Sequence, residues 1–220
     1  MLSRRVSFGI GWFCISAIKK GLLQGAVCEH LDLSDVESNL SVGKIFNLVL
    51  NVLPSSTTGL TFGSACVKGR ALPVFCNFLQ RVGPTSSGGG GVPRVSLKSL
   101  GFEWNTIGPL EAPAVFAVLP SCLDTLSLEG IRLDHTAVMQ ALVGAVRAGR
   151  ISSVRELDLS FTSLDELEDE NLQLLSSAFA SVKPLSTRVL VLGDDFHNQE
   201  SLPSHLRKEF FPYRKSCILD

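Results

Sequence analysis

No two of the six cysteines, at 14, 28, 66, 76, 122 and 217, stand in CxxC spacing, and the four histidines do not gather with them. Zinc ligation needs such clustering, so no metal site is expected. Disulfide frameworks belong to small chains with little to bury. Here 45% of residues are hydrophobic and the mean hydropathy is +0.27. Most cysteines therefore read as small buried hydrophobes in a reducing compartment. An excess of positive charge is also missing. Lys and Arg number 20 against 21 acidic residues, a net charge of −1 that offers nucleic acid no attraction.

The motifs of catalysis are equally thin. PTSSGGGGVPR (84–94) lacks the Gly-Lys-Ser/Thr of a phosphate loop and leads toward an expected strand, so it reads as a flexible loop. DELEDE (165–170) reads as the solvated start of a helix rather than a metal site. His30 and Asp32 form a possible acid/base pair on one strand, but no nucleophile stands in a third position. His135, His197 and His205 fall in expected surface turns. The terminal Cys-Ile-Leu-Asp ends in a residue ill suited to prenylation, and Cys217 and Leu219 fit a strand frame instead. No catalytic residue, cofactor or small-molecule substrate is expected.

What the chain does have is leucine at a recurring interval. In LDTLSLEGIRL (123–133) the apolar positions follow a frame of apolar, two residues, apolar, one residue, apolar, set by Leu123, Leu126 and Leu128. Val154, Leu157 and Leu159 repeat it 31 residues on, and Val92, Val95 and Leu97 precede it by 31. Leu190 and Leu192, Leu60 and Phe62, and Leu31 and Leu33 extend the series. A fixed period near 30 residues marks a solenoid.

Helical stretches fill the intervals. After the strand at 126, Val138, Leu142, Val143 and Val146 recur at helical spacing, with Asp134 as the expected N-cap and Gly149 as the C-cap. After the strand at 157, Asp165 is the expected cap and Leu172, Leu175 and Phe179 the buried stripe. Pro73, Pro109 and Pro113 fall near helix starts, where proline is tolerated. Strand then helix at near-constant period predicts parallel strands joined by crossovers.

The frames LDTLSLEGIRL, VRELDLSFTSL and PRVSLKSLGF resemble the leucine-rich repeat, and the long helical second halves resemble its ribonuclease-inhibitor-like class. The resemblance implies an α/β horseshoe, with the parallel sheet concave and helices convex, over residues 28–195. The family places Asn or Cys three residues after the second strand leucine. Here those places hold Val36, Ala65, Leu100, Ile131, Thr162 and Asp195, so the side-chain ladder between turns is absent or weakened.

The flanks are read as follows. Residues 1–27 lack an acidic residue and are either one more repeat, with Val6 and Phe8 in a strand and Trp12 and Ile15 buried, or a targeting segment. The apolar run from Val6 to Ile18 is too short to span a membrane. Residues 196–220 are a C-terminal repeat or cap. A cytoplasmic location is expected, or a mitochondrial one if the first segment is a presequence.

The frame also sets a concave face. Its candidate protein-binding residues are His30, Asp32, Arg94, Lys98, Glu129, Glu156 and Asp158, a basic row beside an acidic patch. The expected function is a non-enzymatic protein-interaction scaffold with a protein as partner. The alternatives are a regulator of enzyme turnover, such as a GTPase activator, or a structural subunit of a larger assembly.

Overall fold

A strand of three or four residues that is apolar on one side cannot bury that side alone. Here each strand solves the problem by lying beside the next in sequence. The computed structural model describes residues 5–7, 19–34, 49–63, 67–82, 95–102, 107–182 and 189–191. Within them, β1 (Arg5–Ser7), β2 (His30–Leu33), β3 (Gly59–Phe62), β4 (Ser99–Phe102), β5 (Thr125–Ser127), β6 (Glu156–Asp158) and β7 (Val189–Val191) form one open sheet in sequence order. Every pairing is parallel, and one register column runs Val6, Leu31, Leu60, Leu100, Leu126, Leu157 and Leu190. From Leu31 to Leu157 this column is at most 1% exposed.

Just ahead of the strands, single carbonyls take two donors from the following turn. The Thr58 and Gly59 amides both donate to Glu29 O, those of Lys98 and Ser99 to Thr58 O, those of Asp124 and Thr125 to Lys98 O, and those of Arg155 and Glu156 to Asp124 O. This ladder fixes the start of each strand against its predecessor, and the register follows.

The second layer is helical. α1 (Leu72–Arg81) and α2 (Ala112–Ala117) carry Pro73 and Pro113 in their first turns, as expected. α3 (Thr136–Arg147) buries Val138, Leu142, Val143 and Val146, and α4 (Asp169–Ser181) buries Leu172, Leu175 and Phe179. Each helix packs on the next, and the core lies between helices and sheet. At the end of α3, Gly149 has φ 70°, its amide donates to Val146 O and the Arg150 amide to Ala145 O. That is the paired C-terminal bond pattern for which glycine is suited.

Three expectations are corrected. The third strand does not centre on Val95 and Leu97 but spans Ser99–Phe102, with Leu100 beside Leu126. Leu97-x-x-Leu100-x-Phe102 satisfies the apolar frame as well as Val92-x-x-Val95-x-Leu97 does. Aromatic packing supports the later choice. Phe75 of α1 meets Phe62 edge-on at 4.9 Å and Phe102 at 5.9 Å, contacts worth about 0.5–1.5 kcal/mol each beyond burial. Asp134 is not a cap: α3 starts after His135, and the Asp134 carboxylate is taken by Arg132, Nε–Oδ1 3.1 Å and Nη2–Oδ2 2.5 Å. Asp165 is not a cap either, because Leu164–Glu166 forms a 3-10 turn and α4 begins at Asp169. In the shifted frame Leu100 leaves the ladder position for the strand, and Asn105 takes that place in sequence, outside the described residues. Thr162, by contrast, is buried and donates to the Leu159 carbonyl of its own turn. The expectations for Trp12, Ile15, the 84–94 loop and residues 196–220 also fall outside the described residues.

Two measurements check this packing. Leu126→Ala removes a side chain that is 0% exposed, so denaturant melts should show a loss of about 2–5 kcal/mol. A loss below about 1 kcal/mol would contradict the burial. The second compares glycines. A Cβ on Gly63 would sit 1.9 Å from the Ser34 carbonyl oxygen, whereas one on Gly144, inside α3, meets nothing within 4 Å. Gly63→Ala should lower the melting temperature, and Gly144→Ala should raise it through a helix-propensity gain of up to about 1 kcal/mol. Equal effects of the two would contradict the close approach of β2 and β3.

Candidate functional site

The sheet face away from the buried leucines is built from alternate strand residues. In register order it carries His30 and Asp32 on β2, Gly59 and Thr61 on β3, Ser99 and Gly101 on β4, Thr125 and Ser127 on β5, and Glu156 and Asp158 on β6.

Its β2–β4 half is folded down onto the sheet. The His30 ring lies over Gly59, where a Cβ would come 2.1 Å from Nδ1. Across that glycine His30 Nε2 reaches Thr61 Oγ1 at 2.8 Å. Thr61 in turn lies against Gly101, where a Cβ would meet its Oγ1 at 3.2 Å. Each side chain leans one strand over onto a glycine. Asp32 is 4% exposed, and its Oδ1 accepts from the Ser34 amide at 3.0 Å and the Ser34 hydroxyl at 2.7 Å. His30 therefore ties β2 to β3, and Asp32 holds the end of its own strand; Asp32 is buried and His30 half-buried.

The β5–β6 half is open and acidic. Glu156 is exposed, and Asp158 and Glu129 are half-buried. Asp158 repeats the device seen on β2: its Oδ1 accepts from the Ser160 amide at 2.9 Å and the Ser160 hydroxyl at 2.6 Å. The tetrapeptide LDLS occurs at both places, 31–34 and 157–160. That repetition is the sequence signal for the pairing of each aspartate with its serine. Glu129 follows β5, where the Leu128 amide donates to Asp158 O and the Gly130 amide to Ser160 O. Burial, and next the charge of Asp158, push the Glu129 carboxyl above the usual glutamate range.

The basic row does not join this face. Arg94 lies outside the described residues. Lys98 stands one residue ahead of β4, where its Nζ lies 3.6 Å from Asp124 Oδ2, and Arg155 Nε approaches Asp124 Oδ1 at 4.0 Å. This exposed charge row runs along the strand starts, where such pairs add about 0–1 kcal/mol. Ser99 takes the place expected for Arg94, and Gly101 the next one along the same face, a direct result of the shifted strand.

One further feature borders the acidic half. Just beyond β6, Phe161 (φ 57°) and Ser163 (φ 54°) adopt the left-handed conformation, and Phe161 is 39% exposed. Non-glycine residues held there cost about 1–3 kcal/mol each. The turn is pinned through Thr162, whose carbonyl accepts from the Leu133 amide at 3.0 Å. Among the described residues no group of three His, Cys, Asp or Glu is placed to hold a metal ion, and no helix is long and apolar enough to cross a membrane.

No family model matches the sequence, and no curated protein matches it either. Among solved structures the chain is similar to the crystal structure of the leucine-rich repeat-containing protein LegL7 from Legionella pneumophila, with a TM-score of 0.52 and 16% identity over 89% of this chain. The chain spans 65% of the length of that structure. The likeness shows the fold: an α/β leucine-rich-repeat solenoid with an open parallel sheet.

The carboxyl of Glu129 supplies a pH test. Its folded pKa is raised, so the fold favours the protonated form; the associated stability is complete below the unfolded value and is lost as pH rises through the folded one. Glu129→Gln should therefore melt higher than wild type at pH 7, with the gap closing as pH falls through the carboxylate range. A gap that is absent at pH 7, or that widens in acid, contradicts the crowding of Glu129 and Asp158.

Proposed function

We propose that this chain is a protein-interaction module whose open sheet face takes a lysine- or arginine-bearing segment of a partner at its β5–β6 end. One observation carries the reading. Glu156 and Asp158 on β6 and Glu129 just after β5 follow the same alternation, Glu129 feels the charge of Asp158, and among the described residues no lysine or arginine forms an ion pair with any of the three. The charge of Asp158 acts on Glu129, so these two carboxylates repel in the free protein. A basic segment relieves that repulsion and gains charge-assisted hydrogen bonds. Thr125 and Ser127, half-buried on β5, add short hydroxyl groups beside the acids. The leucine-rich-repeat fold supports a protein partner in general, because it presents an extended face assembled from many turns.

The docking residues narrow accordingly to Thr125, Ser127, Glu129, Glu156 and Asp158. The well-formed helices α3 and α4 favour the ribonuclease-inhibitor-like class of the repeat. A reducing, cytoplasmic setting fits the free thiols of Cys28, Cys76 and Cys122; burial pushes those of Cys28 and Cys76 up, which disfavours the thiolate.

The test uses a labelled Lys/Arg-rich peptide titrated at about 50 and about 200 mM salt, where the screening length differs roughly twofold. The triple variant Glu129→Gln, Glu156→Gln, Asp158→Asn should keep its fold, bind several-fold more weakly at the lower salt, and show a flatter salt dependence. Amide shifts on titration should centre on β5 and β6. Unchanged affinity and unchanged salt dependence in the variant would remove this face from the interaction.

A further inference from the structure

The first strand carries a signal that docking does not use. Residues 4–8 read Arg-Arg-Val-Ser-Phe. Two guanidiniums lie three and two residues before a serine hydroxyl, and an apolar residue follows it at once. An acidic substrate groove reads such a segment through paired, bidentate contacts to carboxylates. We propose that Ser7 is a phosphorylation site for a basophilic serine/threonine kinase, and that its phosphate loosens β1 from the sheet.

The placement of β1 supports both halves. Among the described residues it is an end strand of three residues, with β2 as its neighbour in the sheet. Short pairings at a sheet edge open most readily, and an opened edge strand is already extended, the form in which a groove receives a peptide. The register then decides the consequence. Arg5 stands opposite His30, Val6 opposite Leu31 and Ser7 opposite Asp32. Asp32 is 4% exposed and its Oδ1 is already engaged by Ser34. A phosphoserine brings a charge of about −1.5 to −2 at pH 7 to a backbone position one strand spacing, about 4.8 Å, from that of Asp32. Like charges opposite one another on paired strands destabilise the pairing. Detaching β1 also withdraws Val6 from the end of the leucine column.

In the step itself the γ-phosphoryl group of ATP passes to Ser7 Oγ. The bond to the β-phosphate oxygen breaks, the hydroxyl proton goes to the base of the kinase, and ADP leaves. The chain contains an internal comparison. Arg94-Val95-Ser96-Leu97 repeats the Arg-Val-Ser-apolar order, and Ser96 is exposed, but Pro93 occupies the place of the second arginine.

The experiment treats the full chain with the catalytic subunit of cyclic-AMP-dependent protein kinase, as the basophilic probe, and magnesium-ATP, and maps phosphate by mass spectrometry. Ser7 should be the principal site, Ser7→Ala should lose it and Ser7→Thr should keep it. Arg4→Gln and Arg5→Gln should each lower kcat/KM at least about tenfold, as expected for losing a charge-assisted pair. Hydrogen exchange at the His30–Leu33 amides should quicken several-fold after phosphorylation. Phosphate on Ser96 or elsewhere with Ser7 unmodified, or rates indifferent to both arginines, overturns the site. Unchanged exchange in β2 of the phosphorylated protein overturns the loosening.

Discussion

The fold rests on one constraint: a single column of apolar residues must stay in Cα register from turn to turn. Leu31, Leu60, Leu100, Leu126 and Leu157 are its centre, each almost wholly removed from water. A slip of one residue would send every one of these side chains to the solvent face. The bifurcated carbonyls of Glu29, Thr58, Lys98 and Asp124 set the register at the strand starts, and the column then extends it into the core. Helices α1 to α4 cover the column, so stability spreads through nearest-neighbour contacts rather than through one central cluster.

The same register composes the exposed face. With the leucine positions committed inward, the intervening residues have no freedom to choose a side. Glycines at 59 and 101 let His30 and Thr61 lie down across the sheet, which closes the β2–β4 half. The β5–β6 half lacks such glycines and bears Glu156 and Asp158 instead, with Glu129 at its rim. The face is therefore closed down onto the sheet at one end, with its one carboxylate buried, and open and acidic at the other.

Much of this was legible in the sequence, because a repeated spacing reports a repeated environment. The strands through Leu31, Leu60, Leu126, Leu157 and Leu190 were visible from apolar spacing alone, as was the parallel order of the sheet. The third strand was not, because two overlapping frames share Leu97 and spacing favoured the wrong one. From Leu60 to Leu100 is 40 residues and from Leu100 to Leu126 only 26, so the period itself is uneven there. The deciding contacts, Phe62 and Phe102 on either side of Phe75, are tertiary and leave no local mark. That one shift also removed Lys98 from the candidate face. The helix starts failed for a related reason: Asp134 found Arg132 as a partner, and Leu164–Glu166 closed a 3-10 turn ahead of α4. The acidic residues of the site were legible by position, whereas the burial of Glu129 and the leaning of His30 over Gly59 depend on neighbours that no single repeat contains.

The central claim is that Leu100, not Val95, stands between Leu60 and Leu126 in the column. Backbone proton–proton contacts measured by solution NMR test it most directly, because parallel neighbours in register bring an amide of one strand within a few ångströms of an α-proton of the next. The account predicts cross-strand contacts linking residues 60 and 61 to 100 and 101, and 100 and 101 to 126 and 127. Contacts joining Val95 to Leu126 and Leu97 to Leu128, with none from Leu100, would contradict it.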